Sequence, residues 1–247
     1  MSGEANGEQP QAALLRTGQG PPLLMLHGWG ARAATFSPVL RLLTPTFEVV
    51  APDFPGFGAT PNPPAAWAVL DYAEWTLALL RRLQLPAVDV IAHSFGGRVA
   101  VKIATHHPET IRRLVLTGGA GIPSRKLKAQ FGRWAGRTAR AAGPAAQRIL
   151  RPLTEGLASS DYRAATGTVR ETFRRVVAED LRPDMGKVAS PTLLVWGDKD
   201  RETPVADARE MHDLIKGSRL EVLPGSHYVF VDQPAGFCRL VTEFFQS

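Results

Sequence analysis

Six short apolar runs, at 22–27, 47–51, 88–92, 114–116, 192–196 and 220–223, recur along the chain with stretches of helical period between them. The runs are rich in Val, Ile and Leu and lack polar alternation, which is the pattern of a strand covered on both faces. The stretches at 67–83, 95–106, 205–215 and 234–245 space their apolar residues three and four apart, as helices packed on a sheet do. Strands alternating with helices predict an α/β fold with a mostly parallel, doubly wound sheet.

The rhythm breaks once. Over 122–187 the text turns Arg- and Ala-rich, and Leu127, Phe131, Trp134 and Thr138 share a helical face opposite Lys126, Arg133, Arg137 and Arg140. An inserted helical lid is therefore expected at 122–187, dividing the core into 1–121 and 188–247. Charge follows the same division. The chain carries a net charge of +6, while 122–186 alone holds 13 basic and 6 acidic residues, so the rest is close to neutral. Residues 125–151 contain eight basic side chains and no acid. A solvated helical face accounts for this plainly. A sharper account is a lid that attracts an anionic substrate, an acidic carrier protein or an anionic membrane surface. Basicity confined to an insertion, without a recognition motif, sets nucleic acid aside as a partner.

The single cysteine, Cys238, excludes an intramolecular disulfide framework and is expected as a small apolar residue on the last helix. The first residues lack a cationic head followed by an apolar core, and no apolar run approaches the roughly 18 residues of a transmembrane span. A cytoplasmic location is the resulting expectation.

The chemistry concentrates where strands end. The run at 88–92 delivers Ala92-His93-Ser94-Phe95-Gly96-Gly97 into a helical stretch. A serine between small residues at a strand-to-helix turn reads as a nucleophile elbow, whose strain exposes Oγ above the sheet edge. Taken alone, such a serine is more simply a helix cap. Its partners decide otherwise. A serine hydroxyl needs a base, and the base needs a carboxylate, in the order Ser, acid, His at later strand ends. The run at 192–196 ends in Gly-Asp198-Lys-Asp200-Arg-Glu-Thr-Pro, and the run at 220–223 in Pro-Gly-Ser-His227. His227 is expected as base and Asp200 as its orienter, with Asp198 a competing acid more suited to a turn. The oxyanion needs donors. These are expected to be the backbone N–H groups of Phe95 and of Trp29, the latter in the His27-Gly28-Trp29-Gly30 loop. His27 is expected to brace that loop, and Asp53 a neighbouring turn. His106-His107-Pro108 reads as a helix end, not a metal pair, and no metal or cofactor is expected.

Together H-G-W-G (27–30), D-F-P-G-F-G (53–58), A-H-S-F-G-G (92–97), G-D-K-D-R-E-T-P (197–204) and G-S-H (225–227) resemble the α/β-hydrolase superfamily, from His27 to the C-terminus. The resemblance implies a cofactor-free hydrolase of esters, thioesters, amides or activated C–C bonds. Serine at the nucleophile position sets aside the dehalogenase and epoxide hydrolase branches. Two departures stand out: Ala92 replaces the first glycine of the elbow motif, and of the two leading antiparallel strands that the resemblance implies the chain before Pro22 has room for one, expected near 12–17. H-G-W-G, D-F-P-G-F-G and the basic lid are also similar to the esterases that demethylate a pimeloyl-carrier-protein ester, whose lid docks an acidic partner. The expected activity is that of a serine carboxylesterase on small to medium acyl esters. Hydrolysis of a thioester or activated C–C bond, and a low-activity ligand-binding protein on the same fold, remain as alternatives.

Overall fold

The computed structural model describes residues 9–123 and 167–247. The amphipathic stretch at 127–138 and the basic run at 125–151 lie outside them. Among the described residues, β1 (Leu14–Thr17), β2 (Pro22–Leu26), β3 (Glu48–Pro52), β4 (Val88–His93), β5 (Ile111–Thr117), β6 (Thr192–Gly197) and β7 (Arg219–Leu223) form one sheet in the order β1-β3-β2-β4-β5-β6-β7. β1 pairs antiparallel with β3, and every other pairing is parallel. The helices are α1 (Ser37–Leu43), α2 (Val69–Arg82), α3 (Phe95–His106), α4 (Gly167–Ala178), α5 (Arg182–Met185), α6 (Val205–Leu214), α7 (Val229–Asp232) and α8 (Pro234–Gln246). None of them is long and apolar enough to cross a membrane.

The unalternating strands are explained by a core on each face. Leu24, Leu26, Val90, Ala92, Leu114, Leu116, Leu194 and Trp196 pack against α2, α3 and α6. Their chain neighbours Leu23, Met25, Ile91, Val115, Leu193 and Val195 point the opposite way, onto residues of α1, α7 and α8. Successive side chains thus serve different cores, which is why the middle of each central strand is apolar without alternation. Cys238 belongs to the second core, and burial pushes its thiol up to about 12, as a packing residue requires.

Three sequence expectations need adjustment. β7 is only partly covered: it closes one edge of the sheet, Leu220 and Leu223 pack against the two cores without being buried, and Val222 is 43% exposed. The central strand expected at 114–116 extends to Ile111–Thr117, because the charged pair Arg112 and Arg113 lies within it, Arg112 reaching Asp89 at 3.2 Å. α1 and α7 were not foreseen, having only seven and four residues in which to show a helical period.

The described end of the insertion is helical and is pinned to α3. Arg98 Nη1 donates to the carbonyl of Glu179 at 2.9 Å, and Lys102 Nζ lies 2.8 Å from Glu179 and 2.7 Å from Asp184. Leu181 N–H donates to the carbonyl of Gly121 at 3.0 Å, which ties the far end of the insertion to its start.

Candidate active site

Parallel strands open their ligand crevice at their carboxyl ends, and the expected residues gather there. Ser94 follows β4 with φ 51° and ψ −111°, in the left-handed half of backbone space that a side chain with Cβ rarely occupies. The strained turn is held from both sides: Ser94 N–H donates to the carbonyl of Thr117 at 3.1 Å, and the Ser94 carbonyl accepts from Ala120 at 3.1 Å. The small residues after the serine have a spatial cause. A Cβ on Gly96 would collide with the carbonyl of Leu26, so only glycine lets α3 start against the end of β2. A Cβ on Gly28 would sit 3.3 Å from Cβ of Ser94, which places the loop after β2 directly over the serine.

That loop is braced as expected. Phe54 N–H donates to His27 Nε2 at 2.9 Å, and His27 Nδ1–H donates to the carbonyl of Gly28 at 2.7 Å. Both bonds require the neutral ring protonated at Nδ1. Burial, against the opposing pull of the Gly28 carbonyl and Asp53, lowers the pKa of His27 to about 4. Asp53 accepts from Ala33 N–H at 2.7 Å and Ala59 N–H at 2.9 Å, closing the adjoining turn. Trp29 stands at the mouth, edge-on to Phe57, Phe95 and Phe173 with ring centroids 4.8, 5.3 and 5.0 Å away. Phe173 comes from α4, so the insertion supplies part of this aromatic wall. Phe95 is the first residue of α3, and its N–H is among the four donors that a helix leaves without an internal acceptor.

The loops after β6 and β7 bring Asp200 and His227 together. His227 Nδ1–H donates to Asp200 Oδ2 at 2.8 Å, and both residues are buried. Asp200 is itself held by Glu202 N–H and Thr203 N–H on Oδ1, each at 2.9 Å, and by the Thr203 hydroxyl on Oδ2 at 2.9 Å. Burial opposes its ionisation, but the His227 ring and the Thr203 donors outweigh burial and hold the carboxyl below its usual range. Asp198 does other work: its Oδ1 accepts Gly225 N–H at 2.9 Å and braces the turn before His227.

Ser94 and His227 are linked through His93, the residue before the serine. The His93 ring lies 4.7 Å from that of His227, and its Nε2–H donates to the His227 carbonyl at 3.2 Å. Among the described residues no hydrogen bond joins Ser94 Oγ to His227 Nε2. That nitrogen instead has Glu202 Oε2 at 3.5 Å. Sequence reasoning missed His93, Glu202 and Phe173. The first two sit inside the motifs beside residues with evident roles, and Phe173 lies in a stretch without a motif. Among the described residues no cluster of His, Cys, Asp and Glu side chains is arranged to hold a metal ion.

Residues 23–240 match the model of the alpha/beta hydrolase family. The chain is 28% identical over 250 residues to a 2-hydroxy-6-oxo-2,4-heptadienoate hydrolase of Pseudomonas putida, covering 92% of this chain and 90% of that protein. It is 29% identical over 247 residues to a pimeloyl-[acyl-carrier protein] methyl ester esterase of Neisseria meningitidis, covering 90% of this chain and 76% of the other. Among solved structures, a hydrolase from Pseudomonas aeruginosa superposes with a TM-score of 0.78 at 26% identity, over 98% of this chain and 97% of that one. With Ser94 on its elbow, a paired Asp200 and His227, and this match across the sheet, the chain belongs to the alpha/beta hydrolase family.

Proposed function

We propose that this hydrolase is a serine carboxylesterase acting through an acyl-enzyme on small to medium acyl esters. The observation that carries the reading is the buried Asp200–His227 pair, 2.8 Å apart, beside a serine held at φ 51° on the elbow. Ser94 Oγ attacks the ester carbonyl while His227 Nε2 takes its proton. Asp200 keeps the imidazole in the Nδ1–H tautomer and balances the imidazolium that forms. The N–H groups of Trp29 and Phe95 receive the oxyanion. Collapse expels the alcohol, which takes its proton from His227, and water activated by the same ring then releases the acid.

Residues 122–187 act as the lid in this reading, with Phe173 as the part that touches the Trp29 wall. The eight basic residues of 125–151 support an anionic acyl donor, and the carrier-protein esterase relative supports an acidic carrier as its source. The Pseudomonas putida relative supports a second reading, in which the same serine opens an activated C–C bond of a dienoate.

The test is labelling with a fluorophosphonate probe, followed by p-nitrophenyl esters of graded chain length. Labelling of wild type that vanishes in Ser94→Ala, with turnover of short esters, is the expected result. Absence of labelling in the folded protein overturns the serine mechanism. Labelling with turnover of a dienoate but of no ester selects the second reading.

A further inference from the structure

Glu202 has no part in the mechanism above, yet its carboxylate stands beside the nitrogen through which every proton of that mechanism passes. Its Oε2 is 3.5 Å from His227 Nε2, while the side chain remains 64% exposed. The backbone around it is held in place. Glu202 N–H is bound at 2.9 Å by the acid that orients the base, and the next residue is held through its carbonyl by Trp196 Nε1–H at 2.7 Å. The turn is thus held on both sides of Glu202, and the side chain leaves it toward Nε2 of the imidazole. Among the described residues His227 is the only basic side chain within 4 Å of it, and that ring carries charge only when protonated.

The reaction determines what occupies that face. His227 Nε2 must deliver its proton to the departing oxygen, so the alcohol portion of the ester lies within hydrogen-bond reach of Nε2 as it leaves. The substituent of that alcohol then extends past Glu202 toward solvent. We propose that Glu202 forms a leaving-group subsite selecting esters whose alcohol carries a cation. Attraction of a cationic substituent and repulsion of an anionic one act on the same contact, and because the carboxylate is largely exposed both effects should weaken as salt is added. The inference rests on the esterase reading and concerns only the alcohol side. The charge of the lid bears on the acyl side.

The experiment compares two esters of one acid that differ in charge but hardly in shape: the choline ester and the 3,3-dimethylbutyl ester. The acid is the one turned over fastest in the p-nitrophenyl series. At low ionic strength wild type should favour the choline ester in kcat/KM by about three- to tenfold. Glu202→Gln should bring the ratio close to one, and Glu202→Lys should invert it. The ratio is the readout because any disturbance of His227 by the substitution acts on both esters alike. A wild-type ratio of one or below, or a ratio unchanged in Glu202→Gln, overturns the subsite. Loss of all ester turnover together with loss of fluorophosphonate labelling overturns the esterase reading itself. Normal labelling and turnover with a flat ratio removes only the subsite.

Discussion

His93 Nε2 lies 3.2 Å from the carbonyl oxygen of His227, so the residue before the proposed nucleophile holds the backbone of the proposed base. The ring is buried and packs against those of His227, Tyr228 and Phe230, with centroids 4.7, 4.8 and 5.1 Å away. Burial, and then the neighbouring charge of His227, lowers its pKa to about 3. His93 is therefore neutral at working pH, donates from Nε2 and, among the described residues, leaves Nδ1 buried without a hydrogen-bond partner. An unpaired buried nitrogen costs about 1–3 kcal/mol, which a purely structural apolar residue here would avoid. His93→Phe should lower kcat about ten- to hundredfold with little change in KM, since the base is displaced and not the binding wall. His93→Gln keeps an N–H at similar reach and should recover most of the loss, as steady-state kinetics on a short p-nitrophenyl ester would show.

The paired carboxylate and imidazole predict an order of effects. Ser94→Ala and His227→Ala should each reduce kcat by about a thousandfold or more, and Asp200→Asn somewhat less. Asp198→Asn should leave kcat within about threefold of wild type, because Asp198 serves the Gly225 turn and not the ring. A larger loss in Asp198→Asn than in Asp200→Asn would move the acid to Asp198.

Stability should fall on mild acidification. His27 and His93 have pKa values lowered in the folded state, to about 4 and about 3, so between these values and about 6.5 the unfolded chain binds more protons. Stability then rises with pH in this window and is fully present above about 6.5, each histidine contributing a slope of up to about 1.4 kcal/mol per pH unit. Asp200, whose carboxyl is held below its usual range, adds a loss of the same sign near and below about pH 4. Urea midpoints measured at about pH 7.5, 6 and 5 should decrease in that order, and His93→Phe should flatten the trend.

The attachment of the insertion to α3 predicts a stability effect that kinetics should also register. Arg98 is buried, and burial lowers its pKa to about 10 despite Glu179 and Asp180, so it stays charged at neutral pH. Its bond to the Glu179 carbonyl ties the helix that begins at the elbow to the segment carrying Phe173. Arg98→Met should cost about 1–3 kcal/mol in urea unfolding, by leaving that carbonyl without its charged donor. With α4 less firmly seated on the Trp29 wall, KM for longer acyl esters should change more than kcat for short ones.

The site was unevenly legible in the sequence. The placement of Ser94, Asp200 and His227 near strand ends could be read because each lies shortly after an apolar run, among small or turn-forming residues. Asp198 and Asp200 could not be separated by spacing alone, since both follow β6 within three residues of its end. Their separation came from a hydrogen-bond geometry in which one meets Gly225 and the other His227. His27 and Asp53 were legible as braces because they flank glycine-rich turns, but their partners, Phe54, Ala33 and Ala59, depend on how two loops meet. Glu202 and His93 carried no signal. A glutamate in an exposed turn and a histidine at a strand end are unremarkable until a ring nitrogen or a carbonyl is found beside them.

By itself the sequence determined the alternation of strand and helix, the covering of both sheet faces and the strand ends at which chemistry gathers. Those features follow from local periodicity and turn chemistry, which neighbouring residues encode. The tertiary structure decided which carboxylate meets His227, which residue holds its backbone and which charge faces its free nitrogen. Each of those contacts joins the ends of different strands, and side-chain distances across a sheet edge depend on register, twist and packing rather than on spacing along the chain.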